Sequence, residues 1–302
     1  MARQTLAVDD QEVIEDSECY KYLTSQQRSN TRRYGLAYTS AMSLTLQFHP
    51  DWAHEDGLVI ESMARDGRYR SQFETGTSNG GLTAYPGGQR WRWESRLFGT
   101  RYDSSDPASR PLYGAWNRHD DAYGGSPRFG SAYLRLRPHV LERTTFCFPD
   151  SVFEPAGVVG ASELERLCSV ADSSEHDYLD DYVEAHVHSG LSVAEDVEAV
   201  VLDPCHRTGA VAEAAGRLGC AVEFHPVFIL CTRNLDIAFR GPETVTLAQE
   251  LGEHITPTDV AQAARSGDHD PQQVKRVWHL LARFGRGTSH ADKLTRSDRG
   301  CV

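Results

Sequence analysis

Several features are missing from this sequence, and each absence removes a class of function. No run approaches the roughly 20 consecutive apolar residues that a membrane-spanning helix needs. The N-terminal MARQTLAVDDQEV lacks the apolar core of a cleaved secretory signal, so export through such a signal is not expected. No GxGxxG follows a strand pattern, and no GxxxxGK precedes a Ser or Thr. Rossmann-type and P-loop phosphate sites are therefore unsupported. The seven cysteines (Cys19, Cys147, Cys168, Cys205, Cys220, Cys231 and Cys301) are odd in number, scattered and without CxxC spacing. That is the pattern of reduced cytosolic thiols, not of a disulfide framework. Positive charge is also short. Against 43 acidic residues stand 31 basic ones, for a net charge of -12, which repels phosphate backbones and argues against nucleic acid as a partner.

What is present is an ordinary globular mixture, 39% hydrophobic and 25% charged over 302 residues. Residues 1–18 are polar and acidic and read as a flexible leader; 19–42 are mostly helical in pattern. Residues 43–48 alternate, predicting a strand closed by His49-Pro50, and a helix is expected over about 54–64, ended by Asp66-Gly67. The segment 68–74, RYRSQFE, alternates strictly. Tyr69, Ser71 and Phe73 fall on one face, Arg68, Arg70, Gln72 and Glu74 on the other, which predicts a strand before the glycine-rich loop 76–81. A helix over 89–98 follows, then strands over 112–116, 131–136 and 144–148, a helix over 161–171 and an alternating strand over 182–188. The pattern continues with a capped helix over 193–202, a helix near 208–218, and strands over 220–224 and 227–231.

The last third changes character. Helices are expected over 258–265 and 271–284, the second with Asp270 as N-cap, Pro271 at its first position and Gly285 past its end. Its Val274, Val277, Trp278 and Leu281 form one apolar stripe for docking. Residues 286–302 read as a loose polar tail. Mixed strands and helices followed by a helical end make an α+β fold.

Two strands carry the chemistry. Two arginines and a glutamate on one face of 68–74 are costly inside a core, so that face must open to water or to a ligand. A guanidinium fork suits a diphosphate; the competing reading is a solvated edge strand. In 182–188, Glu184, His186 and His188 share one face and Val183, Ala185 and Val187 the other, like the wall of a polar cleft. Three readings of it compete: a metal site completed by Cys205, His206 or His225, an exposed polar face, and a catalytic wall. Glu223, on the strand before His225-Pro226, and Ser131, opening SAYLRL, are further candidates; a surface glutamate and a strand cap are their bland alternatives.

The stretches YRSQFETGTSNGGL, RPLYGAWN, SPRFGSAYLRLRP, DDYVEAHVHSGLSVAEDVEA and VEFHP resemble a bacterial family long catalogued only as a domain of unknown function. That family includes secreted effectors that ADP-ribosylate ubiquitin on a threonine and so block ubiquitination in the host. The likeness spans about residues 34–245. It implies an ADP-ribosyltransferase fold of split mixed β-sheets with a helical N-terminal region and a helical C-terminal tail. It implies a catalytic domain over 19–255 with a helical extension over 256–285, NAD as ADP-ribose donor, no metal, and ubiquitin as acceptor. Delivery to a host cytosol is implied with it, the bacterial cytoplasm being the alternative. By the same likeness Arg70 fits the arginine of the first core strand, Ser131 the serine strand, and Glu184 the catalytic glutamate, with Glu223 second in line and His188 assisting. The usual Ser-Thr-Ser triplet is absent. Thr75, Asn79, Gly80, Phe98, Tyr113, Tyr133 and His186 complete the expected NAD-binding set; Phe98, Tyr113 or Tyr133 would stack on nicotinamide.

Overall fold

The structure, a computed structural model, describes residues 42–76 and 83–287. The expectations for the leader, for almost all of the helical stretch 19–42, for Asn79 and Gly80 in the glycine-rich loop, and for nearly all of the polar tail lie outside the described residues. The fold is α+β, built on one mixed eight-stranded sheet with the order β10-β9-β5-β1-β4-β8-β6-β7. Its strands are β1 (Ser43–Phe48), β4 (Leu112–Asn117), β5 (Ala132–Leu136), β6 (Thr144–Cys147), β7 (Val159–Gly160), β8 (Val183–Val187), β9 (Val197–Leu202) and β10 (Ala221–Phe224). Only β9 and β10 pair in parallel. Two small ribbons, β2 (Ala53–His54) with β3 (Gly57–Leu58) and β11 (Leu230–Cys231) with β12 (His254–Ile255), stand apart. In place of the expected split sheets, the main strands form one hydrogen-bonded sheet.

Two apolar cores flank this frame. On one face Leu44, Leu46, Leu134, Phe146, Val183, Ala185, Val187 and Val200 pack with α1 (Val59–Asp66), through Ile60 and Met63. Leu164 and Ala171 of α4 (Leu164–Asp172) and Val211, Ala214 and Ala215 of α6 (Ala210–Gly216) join the same core. Three helices build the second core: α7 (Pro242–Leu251), which the pattern did not single out, α8 (Pro257–Ser266) and α9 (Pro271–Phe284). There Val274, Val277, Trp278 and Leu281 are buried, as their helical spacing predicts, against Tyr123, Phe228 and Leu230. The Trp278 indole N–H donates to the carbonyls of Pro127 and Arg128 at 3.1 and 3.0 Å, which ties the helical layer to the loop before β5.

Two predicted elements are corrected. Residues 68–74 are not a strand: Arg68 makes one isolated bridge with Ser192, and the chain then turns into α2 (Gln72–Thr75). The Ser71 hydroxyl accepts from the Glu74 N–H and the Glu74 carboxylate accepts from the Ser71 N–H, a reciprocal cap. Gly76 closes the turn at φ +60°. Side chains of alternating polarity here wrap a capped turn and flatten no sheet. Residues 193–202 are likewise not one helix. A single turn, α5 (Val193–Asp196), passes directly into β9. The VEAVVL run lies between β5 and β10 and is apolar on both faces because both are covered, Val200 and Leu202 in the first core and Ala199 and Val201 against Tyr133.

Candidate functional site

The site is built on β8, where all five residues are buried. Alternation sends Val183, Ala185 and Val187 into the first core and leaves Glu184 and His186 on the opposite face. Register then assembles two rows across the sheet. Tyr113, His186 and Thr145 lie side by side, and Ala115, Glu184 and Cys147 form the next row.

Glu184 is 5% exposed and hydrogen-bonded at both oxygens. Its Oε1 accepts from the His186 ring at 2.8 Å and from the Ser151 N–H at 3.3 Å; its Oε2 accepts from the Ser151 hydroxyl at 3.2 Å. The Cys147 thiol approaches Oε1 at 3.8 Å. Burial alone would raise this carboxyl, but the hydrogen bond and charge of His186, with Arg90 and Ser151, bring it below its ordinary value. Glu184 is therefore a carboxylate at neutral pH.

Behind it runs a hydrogen-bonded chain of side chains. Thr145 Oγ1 lies 3.3 Å from His186 Nδ1 and 2.9 Å from His188 Nε2, and the Tyr102 hydroxyl lies 2.7 Å from His188 Nδ1. One assignment satisfies every member. The Tyr102 O–H donates to His188 Nδ1, His188 Nε2–H to Thr145, the Thr145 O–H to His186 Nδ1, and His186 Nε2–H to Glu184. Burial, with the charges of His186 and Arg101, holds His188 down to about 4, so it is uncharged in this chain at neutral pH. Phe98 packs edge-on against both imidazoles, at 5.1 and 5.5 Å between ring centroids.

Glu184 lines a cleft of about 200 Å³. Its walls include His49, Trp52 and His54, Arg68 and Arg70, Tyr113, Phe129 and Tyr182. His49 stacks on Trp52 at 4.2 Å and meets Trp278 edge-on at 4.8 Å, so the helical layer backs this wall.

The cleft sorts the candidates. Arg70, Thr75, Tyr113 and Glu184 line it together. Arg70 is not on a strand, however, and its fork is already held by Glu55 at 2.5 Å and Asp66 at 2.6 Å. The Tyr113 hydroxyl donates to Glu94, which also binds Arg110 at 2.5 Å. His186, His188 and Phe98 support Glu184 from behind and do not line the cleft. Glu223 is elsewhere. Both of its oxygens accept from Arg135, which reaches across β9 from β5 at the far end of the sheet, at 2.6 and 2.9 Å. Ser131 is buried, with its backbone carbonyl bound by His225, and Tyr133 binds the Ala122 carbonyl. Neither lines the cleft. The proposed third metal ligands are also elsewhere: His206 lies 3.7 Å from Asp51 and His225 contacts Ser131. Among the described residues the groups gathered at His186 Nε2 are Glu184 and Cys147, with their ligand atoms all within 4.8 Å of one another.

Sequence reasoning missed Arg90, Ser151, Tyr182 and Cys147. The Ser151 hydroxyl bridges the site: it donates to Glu184 and accepts from Arg90 Nη1 at 3.4 Å. Arg90 and Glu94 sit four apart on α3 (Gln89–Leu97) and are the two residues of that helix that are buried. A charged pair at i, i+4 between tryptophans was the available signal.

Among proteins of known sequence, the Gene 2 protein of Mycobacterium phage D29 is 26% identical over 165 residues, 47% of this chain and 60% of that protein. The chain thus spans less than two thirds of its relative's length. The family described as "Protein of unknown function (DUF3626)" matches in two overlapping segments, residues 43–164 and 157–284. These take in the sheet, the cleft and the three helices of the second core, and the chain belongs to that family.

Proposed function

We propose that this protein is a mono-ADP-ribosyltransferase that cleaves NAD in the Glu184 cleft and transfers ADP-ribose to a protein. In this reading the α+β body is an ADP-ribosyltransferase-like domain, and a threonine of ubiquitin is the acceptor, as the motif likeness implies. Such an enzyme would act as an effector in a host cytosol. The observation that carries the reading is one cleft lined by both a buried, ionised carboxylate, Glu184, and several arginines. Breaking the nicotinamide–ribose bond passes through an oxocarbenium-like state. A fixed carboxylate stabilises that charge and accepts a hydrogen bond from the ribose 2′-hydroxyl. Cationic walls suit the diphosphate, and Tyr113, Tyr182 and Phe129 offer aromatic surface for the nicotinamide ring. Glu184 also serves as base for an acceptor hydroxyl, a weak nucleophile that needs one.

The test is intact-mass spectrometry of ubiquitin incubated with the protein and NAD. A gain of one ADP-ribose is expected; unmodified ubiquitin together with intact NAD contradicts the reading. One observation favours a second reading, a metal hydrolase: Cys147, Glu184 and His186 present S, O and N donors within 4.8 Å of one another, a set that suits zinc. Stoichiometric zinc in the purified protein, with activity abolished by chelation, supports that alternative, whereas the transferase retains activity in EDTA.

A further inference from the structure

Arg90 differs from the other buried arginines. Arg110 is neutralised by Glu94, and Arg118 by Asp172 and Asp181. Arg90 is 9% exposed, yet among the described residues no carboxylate lies within ion-pair distance of it. Among the described residues its Nη1 reaches only the Ser151 hydroxyl, and its buried Nε–H has no partner. The guanidinium lies over the Tyr113 ring at 4.2 Å, which fixes its plane, and it lines the same cleft as Glu184. A buried cation without a counterion is costly. Glu184 and Glu94 favour its charge through space, but neither forms an ion pair with it among the described residues. The surroundings reinforce the imbalance: burial and the charges of Arg128, Arg90 and Arg240 hold Lys275 down to about 8, in a chain that is acidic overall.

We propose that Arg90 is the principal anion-binding group of the cleft, its free Nε–H and planar fork holding a phosphate oxygen of the ligand beside Glu184, while Arg70 acts at the rim. Identifying that oxygen with the donor's diphosphate rests on the transferase reading; the anion site does not. Arg70 also has an unpartnered Nε–H, but its fork would have to surrender Glu55 or Asp66 before it could grip a phosphate, whereas the fork of Arg90 gives up at most its long contact with Ser151.

Calorimetric titration with ADP-ribose, and separately with inorganic pyrophosphate, tests this on the wild-type protein and on Arg90→Gln and Arg70→Gln. Arg90→Gln is expected to raise both dissociation constants by about tenfold or more, and Arg70→Gln by a smaller factor. Should the glutamine variant fail to fold, Arg90→Lys decides: it keeps the charge but loses the fork, so the constants rise several-fold at a retained melting temperature. Wild-type protein that binds neither anion, a folded Arg90 variant that binds unchanged, or a larger loss at Arg70 overturns the proposal. Arg90-dependent pyrophosphate binding in a protein that never cleaves NAD sinks the transferase reading and leaves the anion site standing.

Discussion

At Thr145 a single hydroxyl serves two imidazoles, donating to His186 Nδ1 and accepting from His188 Nε2. Replacing it with valine keeps the shape and removes the polar link, so His186 loses what fixes its tautomer and its aim at Glu184. Thr145→Val is expected to lower kcat for nicotinamide release by about tenfold, the worth of roughly one hydrogen bond, with KM for NAD nearly unchanged. An unaltered kcat would show that Glu184 is oriented without the relay. A second residue-scale consequence concerns Asp51, whose carboxyl is buried. Burial raises it to about 7, helped by the charge of Asp203 and opposed by its own backbone hydrogen bond and Arg265; His206 lies 3.7 Å away. A raised carboxyl contributes stability that is intact below the ordinary value of 3.8 and is lost as pH climbs through 7. Asp51→Asn should therefore gain on the wild type by about 2–3 kcal/mol between pH 5 and pH 8 in chemical denaturation. A pH-independent difference would contradict this. Glu184 and His186 were legible in advance because the alternation of YVEAHVH is strict and its apolar half is small and branched. Glu223 and Arg90 were not: one carboxylate turns out to be satisfied by Arg135 and one guanidinium keeps an unpartnered Nε–H, and partners are a property of the folded chain.

At the scale of elements, local signals succeeded where chain-end chemistry dominates. Asp270 caps α9 by accepting from the N–H groups of Gln272 and Gln273 at 2.9 and 3.0 Å, on the boundary the sequence indicates. Asp270→Ala should cost about 1 kcal/mol and lower the melting temperature by roughly 2–4 °C; an unshifted transition would mean that the helix is held by its buried stripe alone. Periodicity failed where two codes overlap. RYRSQFE satisfies both a strand alternation and a Ser-x-x-Glu cap, and the cap prevails because Ser71 and Glu74 satisfy two backbone N–H groups at once. VEAVVL satisfies a helix only until its place between β5 and β10 is known.

For the whole molecule, the strand sequence was largely legible, but the strand order was not. The eight-stranded sheet depends on long-range pairings, such as β1 between β4 and β5, that no local pattern encodes. It is this order that sets β8 beside β4 and β6, and so brings Tyr113, Thr145 and Cys147 around Glu184 and His186. The helical layer, anchored through Trp278, closes the other side of the cleft through His49.

On the transferase reading, the carboxylate of Glu184 drives scission of the nicotinamide–ribose bond. Its most direct measurement is nicotinamide release from NAD by wild-type protein and by Glu184→Gln, with thermal unfolding of each as the control for folding. The account predicts release by the wild type and a loss of at least about a hundredfold in the variant at a closely similar melting temperature. Wild-type turnover that persists in a well-folded Glu184→Gln protein would contradict it.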